Sequence, residues 1–126
     1  MKIEGIDHIA LNVRDLTRAE YFYTKVLGFE VTYRVSEGTP HIMVNTGNSA
    51  VALFEAPDLE MEKSIDNLSE TGYMHFAFKA SKDQMEVILE ELKNNHIEIE
   101  GPVQRGNGDS IYFNDPDDNH LEIHFV

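Results

Sequence analysis

Three side chains able to hold a metal ion stand out in this chain, two of them at matched places. His8 opens the stretch His8-Ile9-Ala10-Leu11, and 67 residues later His75 opens His75-Phe76-Ala77-Phe78. Near the end, Glu122 stands between His120 and His124 on alternate residues, with Leu121, Ile123 and Phe125 between them. Residues two apart on an extended strand share a face. Each histidine therefore opens a polar face opposite an apolar one, and Glu122 does the same on its own strand. Two imidazoles and a carboxylate make a 2-His-1-carboxylate set that leaves coordination positions open for a substrate. From spacing alone the trio reads either as that site or as charge-paired groups lining a groove.

Counting suggests a fourth donor. Glu55 lies 47 residues after His8, as Glu122 lies 47 after His75. Glu55 is thus expected as a fourth ligand or a catalytic base, and Leu53 shares its strand face. His41 reads as a lone polar strand residue, His96 and Lys79 as surface residues. His120 and His124 read either as groups orienting Glu122 or as rim residues.

The elements needed to position these groups occur twice. After the first histidine strand, Asp15 can cap a helix whose apolar stripe is Leu16, Ala19, Tyr23, Val26 and Leu27, ending at Gly28. After the second, Ser81 and Gln84 have capping-box spacing ahead of Met85, Ile88, Leu89 and Leu92. Strands are expected near 29–35, 40–46 and 50–55, and again near 97–104, 110–114 and 120–125. Turn chemistry separates them, as at Gly47-Asn48, Gly106-Asn107-Gly108-Asp109 and Asp115-Pro116-Asp117-Asp118-Asn119. The expected fold is α+β, one domain over 1–126: module one at 1–56, an acidic linker at 57–71, module two at 72–126, each βαβββ.

Composition narrows the chemistry. The 126 residues are 41% hydrophobic and contain no cysteine, so a packed core is available and thiolate ligands, thiol nucleophiles and disulfides are not. Imidazole and carboxylate suit one divalent ion: Fe, Mn, Ni, Co or Zn. Ten basic against 23 acidic residues give a net charge of −13, which disfavours nucleic acid and anionic membranes. Without a signal-peptide core or a membrane-length apolar run, the cytoplasm is the expected compartment.

Longer motifs then resemble a known family. Phe22-Tyr23-Thr24-Lys25-Val26-Leu27-Gly28-Phe29 resembles the "FYxxVLGF" text of the vicinal oxygen chelate superfamily. Tyr112-Phe113-Asn114-Asp115-Pro116-Asp117-Asp118-Asn119-His120-Leu121-Glu122 resembles its "YFxDPDGNxxE" text. Glyoxalase I, extradiol dioxygenases, fosfomycin-resistance proteins, methylmalonyl-CoA epimerase and bleomycin-binding proteins belong there. The resemblance implies two βαβββ modules in a half-open barrel around a divalent metal held by His8, His75 and Glu122. It also implies Tyr112 at the substrate and a homodimer. The chemistry implied is chelation of neighbouring oxygens of a small molecule, with stabilisation of an enolate or alkoxide.

No subfamily is matched in full. Asn12 stands where glyoxalase I has a glutathione-binding arginine. No histidine near Ser49 and Ala50 supplies a dioxygenase base. Ala10 replaces the threonine of fosfomycin proteins, and the phosphonate-binding basic residues beyond the glutamate strand have no counterpart before Val126. A fosfomycin-type enzyme, an extradiol dioxygenase and a non-catalytic sequestering protein remain alternatives to the isomerase or lyase reading.

Overall fold

A computed structural model describes residues 1–58, 60 and 74–126. The chain divides into two compact units, 1–60 and 61–126. The expected linker lies outside the described residues apart from 57, 58 and 60, as do residues 72 and 73 of the expected second module.

In the first unit, β1 (His8–Val13) leads into α1 (Leu16–Tyr21), then β2 (Glu30–Val35), β3 (His41–Asn45) and β4 (Ala50–Glu55). The strands form one mixed sheet in the order β1-β4-β3-β2, with β1 and β4 parallel and the other pairs antiparallel. Asp15 caps α1 by accepting a hydrogen bond from the Arg18 N–H at 3.0 Å. From Phe22 to Val26 the helix widens into a π turn, closed by the Leu27 N–H on the Phe22 carbonyl at 3.0 Å. The wider turn alters the expected stripe: Leu16, Ala19, Phe22 and Tyr23 are buried, whereas Val26 and Leu27 are only half-buried. They join Leu11, Val13, Ile42, Val44, Val51 and Leu53 in the apolar core. Burying one such side chain is worth about 1.5–3 kcal/mol.

In the second unit, β5 (Phe76–Ala80) is followed by α2 (Met85–Asn94), β6 (Glu100–Arg105), β7 (Gly108–Asn114) and β8 (His120–Phe125). The order β5-β8-β7-β6 repeats the first unit's topology, again with its first and last strands parallel. The two βαβββ modules are therefore present, and the class is α+β. The capping box does not form. The Ser81 hydroxyl turns to the Asp83 carboxylate, and a 3-10 turn at Lys82–Gln84 precedes α2.

The turn between β7 and β8 is tied by one side chain. Asp115 accepts the Asp117 and Asn119 N–H groups at 2.8 and 2.9 Å on one oxygen, and the Asn119 amide at 2.8 Å on the other. Asp118, where the family text has glycine, sits at φ +63°. This turn sets the antiparallel register that puts Tyr112 opposite Glu122.

Candidate metal and substrate site

The second unit carries a group of polar side chains on one sheet face. Partnered residues of neighbouring strands point to the same side. The pairings Tyr112–Glu122, Ser110–His124 and Asn114–His120 therefore put three polar pairs on one face, with Ala77 on the other side of Glu122. His75 immediately precedes β5, and its Nε2 lies 2.8 Å from the Glu122 Oε2. The rings of His75 and Tyr112 meet edge to face, with centroids 5.9 Å apart. Glu122 and Tyr112 are 7% and 5% exposed, so the carboxylate is buried with His75 as its hydrogen-bonding partner.

This pair fits a cation. Two ligands about 2.1 Å from one ion, at right angles, lie about 3.0 Å apart. The 2.8 Å separation of the His75 nitrogen and the Glu122 oxygen is close to that spacing. Among the described residues, no three His, Asp or Glu side chains are grouped so as to hold a metal ion.

The neighbouring histidines are held elsewhere. His120 Nδ1 is 2.7 Å from the Asn114 side-chain oxygen. His124 is fixed at both nitrogens, 2.8 Å from the Ser110 hydroxyl and 3.0 Å from the Asn107 side-chain oxygen. Neither is hydrogen-bonded to Glu122, so they line the same face without orienting the carboxylate.

In the first unit His8 has a partner that spacing arguments missed. The Asp7 carboxylate lies 2.8 Å from His8 Nδ1. A proton held there leaves Nε2 with its lone pair outward, the tautomer a metal ligand needs. The Asp-His dipeptide was the visible signal. The His8 side chain is 46% exposed.

Glu55 and Leu53 do not share the face of His8. β1 and β4 pair as His8–Ala50, Ala10–Ala52, Leu11–Leu53 and Val13–Glu55. The polar face of β1 thus meets Ala50, Ala52 and Phe54, while Leu53 and Glu55 stand on the helix side with Leu11 and Val13. Glu55 accepts the Leu16 N–H at 2.8 Å, at the start of α1. Equal spacing of 47 misleads because the registers differ. β1 pairs with residues 42 farther on, as His8 with Ala50, whereas β5 pairs with residues 45 farther on, as Phe76 with Leu121. An odd difference of three reverses the face. Ala52 therefore occupies the sheet position that Glu122 occupies in the second unit.

His41 is more than a lone polar residue. It stacks on Phe54 with ring centroids 4.3 Å apart and an interplanar angle of 19°. Its Nδ1–H donates to the Thr39 carbonyl at 2.8 Å. His96 and Lys79 are exposed, as expected.

Comparison with known proteins places the chain in a family. Residues 5–123 match the family model described as "Glyoxalase/Bleomycin resistance protein/Dioxygenase superfamily". The chain is 31% identical over 124 residues to the fosfomycin resistance protein FosX of Listeria monocytogenes, covering 97% of this chain and 90% of that protein. It is 32% identical over 127 residues to the metallothiol transferase FosB of Lysinibacillus sphaericus, covering 98% and 84%. A solved variant of the Listeria FosX, complexed with Mn(II) and 1S,2S-dihydroxypropylphosphonic acid, superposes with a TM-score of 0.80. It is 22% identical, with 98% of this chain and 93% of that chain covered. The two curated relatives are thus named as a resistance protein and a transferase, and the solved FosX variant holds Mn(II). Matched by its model over nearly the whole length, the chain belongs to the Glyoxalase/Bleomycin resistance protein/Dioxygenase superfamily.

Proposed function

We propose that this protein is a divalent-metal enzyme acting on a small molecule with two neighbouring oxygens, and that His8, His75 and Glu122 are the metal ligands. The observation that carries this reading is the 2.8 Å approach of His75 to a buried Glu122 beside Tyr112. When bound, a divalent ion supplies Lewis acidity that steadies negative charge of the enolate or alkoxide kind on those oxygens.

The protein's own groups have distinct tasks. Glu122 and His75 present their donors from a strand and a strand edge, so their positions are set by the sheet. Asp7 holds His8 in the ligating tautomer. With Ala52 at the counterpart of Glu122 and Glu55 on the helix side, the ligand set is three residues, leaving room for a chelating substrate. Tyr112 stands opposite Glu122, its ring against His75, and its hydroxyl serves as the hydrogen-bond donor to a substrate oxygen.

Isomerisation, epimerisation or addition next to a chelated oxygen is the first reading of the reaction. Fosfomycin modification is the second, supported by the FosX and FosB likeness. Ala10 in place of threonine argues against it. The deciding experiment incubates the Mn(II)-, Fe(II)-, Ni(II)- or Zn(II)-loaded protein with 2-oxo-thioesters, hemithioacetals, catechols and fosfomycin. Solvent deuterium exchange and oxygen uptake are followed. Deuterium entry beside a carbonyl supports the first reading, loss of fosfomycin the second. Oxygen uptake with a catechol, or tight binding without turnover of anything, would displace both.

A further inference from the structure

Proton transfer beside a chelated oxygen needs a base, and strand register removes the carboxylate that equal spacing offers. Glu55 caps α1 from the helix side of the first sheet. In the second unit, the face that carries Glu122 has few groups able to take a proton. His120 is 7% exposed, with Nδ1 on Asn114 and Nε2 buried. His124 has both ring nitrogens engaged, by Ser110 and Asn107. Among the described residues of this sheet, the carboxylates on that face are Glu122 itself and Glu100.

Glu100 reaches this face through an irregularity in β6. Arg105, Gln104 and Val103 pair with Gly108, Asp109 and Ser110, one residue for one. From Val103 to Glu100 the strand then takes three steps, while β7 takes two, from Ser110 to Tyr112. The extra residue makes a β-bulge. Regular pairing would set Gly101 opposite Tyr112, and Glu100 opposite Phe113, which is 3% exposed and paired with Leu121 on the helix side. The bulge instead sets Glu100 opposite Tyr112, in one row with Glu122. Glycine makes this possible. Gly101 sits at φ +104°, where a Cβ would come within 2.8 Å of the Ser110 carbonyl oxygen and 3.1 Å of the Val103 nitrogen. Bulges of this kind commonly re-aim one side chain beside a site.

Neighbouring strands are about 4.8 Å apart, so the backbones at Glu100 and Glu122 are about 10 Å apart across Tyr112. Two glutamates reaching out of one face at that separation leave room for a small molecule between their carboxyl groups. Glu100 is half-buried, shielded without being closed off from solvent. We propose that Glu100 is the carboxylate that takes the proton from the carbon next to a chelated oxygen. The C–H bond breaks, its electron pair moves into the bond to the carbonyl carbon and on to the oxygen, and the proton goes to Glu100. Return of the proton to the neighbouring carbon isomerises the molecule, and return of a solvent deuteron to the same carbon gives exchange. Tyr112, between the two carboxylates, donates to the oxygen that takes up charge. The role rests on the metal reading for the position of the substrate.

Hydroxyacetone and pyruvate test it, because each carries two neighbouring oxygens and a proton on a carbon next to the carbonyl. Mass spectrometry follows deuterium entering each compound from deuterium oxide with the Mn(II)-loaded protein, beside a Mn(II) titration of the same preparations. Glu100→Gln and Glu100→Ala should keep the Mn(II) affinity of wild type and lose on the order of a hundredfold or more in exchange rate. Added formate should restore part of the rate in Glu100→Ala and none in Glu100→Gln, where the side-chain amide fills the space. Exchange undiminished in both variants, or absent in wild type that binds Mn(II), would overturn the role. So would a loss that formate leaves unrepaired, or one accompanied by weaker Mn(II) binding, since either makes Glu100 a structural residue. If wild type takes up no Mn(II), the metal reading itself fails and the base falls with it.

Discussion

Replacing Glu55 separates two roles that one carboxylate could play. The structure gives it a helix to cap: its Oε2 accepts the Leu16 N–H at 2.8 Å, while Asp15 accepts the Arg18 N–H at 3.0 Å. Two of the four N–H groups left open at the start of α1 are thereby satisfied. A capping hydrogen bond of this kind contributes about 1–2 kcal/mol, assisted by the attraction of a carboxylate to the helix N-terminus. For a chain of this size each kcal/mol corresponds to about 3–5 °C in melting temperature. Glu55→Ala should therefore lower the midpoint by about 4–8 °C. Glu55→Gln, which keeps an acceptor and loses the charge, should lower it by about half as much. Neither should weaken Mn(II) binding, because Glu55 stands on the sheet face opposite His8. Thermal unfolding followed by circular dichroism, paired with Mn(II) titration, measures both quantities. A tenfold loss of Mn(II) affinity with an unchanged midpoint would refute the assignment and make Glu55 a ligand.

Three other substitutions or measurements follow from particular contacts. A Cβ added at Gly108 would come within 1.9 Å of the Phe125 carbonyl oxygen, backbone that cannot step aside. Gly108→Ala should cost more than about 4 kcal/mol and leave little folded protein, measured as soluble yield and melting temperature. Asp118 holds φ +63° at the position of the motif's glycine, so Asp118→Gly should raise the midpoint by a few degrees, as about 0.5–1 kcal/mol of backbone strain is relieved. β1 and β5 each end a sheet within their units, and Ile3, Ile6 and Met74 are 79%, 73% and 82% exposed. Such edges and apolar groups are commonly covered by a second subunit. Light scattering at micromolar concentration should give twice 14.4 kDa, and a monomer mass would exclude the dimer.

Much of this architecture was legible because its signals are local. Alternation around His75 and Glu122, the Asp15 cap and the Asp115 turn are written in neighbouring residues, and the repeat of His8 and His75 ties the halves together. The expectation for Glu55 rested on a less local signal. Counting along the chain assumes that both modules pair their strands in the same register, and the difference of three between 42 and 45 is set by loop and helix geometry that counting does not see. The π turn at Phe22–Val26 likewise depends on packing rather than on helical periodicity, and moves Val26 and Leu27 away from the buried stripe. Asp7 was overlooked because a residue adjacent in sequence normally points to the opposite strand face. Here it lies before β1 begins, where its carboxylate is free to turn back to His8. His41 carried no spacing signal at all; only the strand register sets it against Phe54.

Metal stoichiometry tests the central claim most directly. Calorimetric titration of metal-free protein with Mn(II), beside His8→Ala, His75→Ala and Glu122→Gln, asks whether these three side chains hold one ion. The expected result is about one ion per chain in wild type and loss of tight binding in each variant, since two ligands rarely retain a divalent ion. Absence of binding in wild type, or affinities unchanged when these residues are replaced one at a time, would contradict the account.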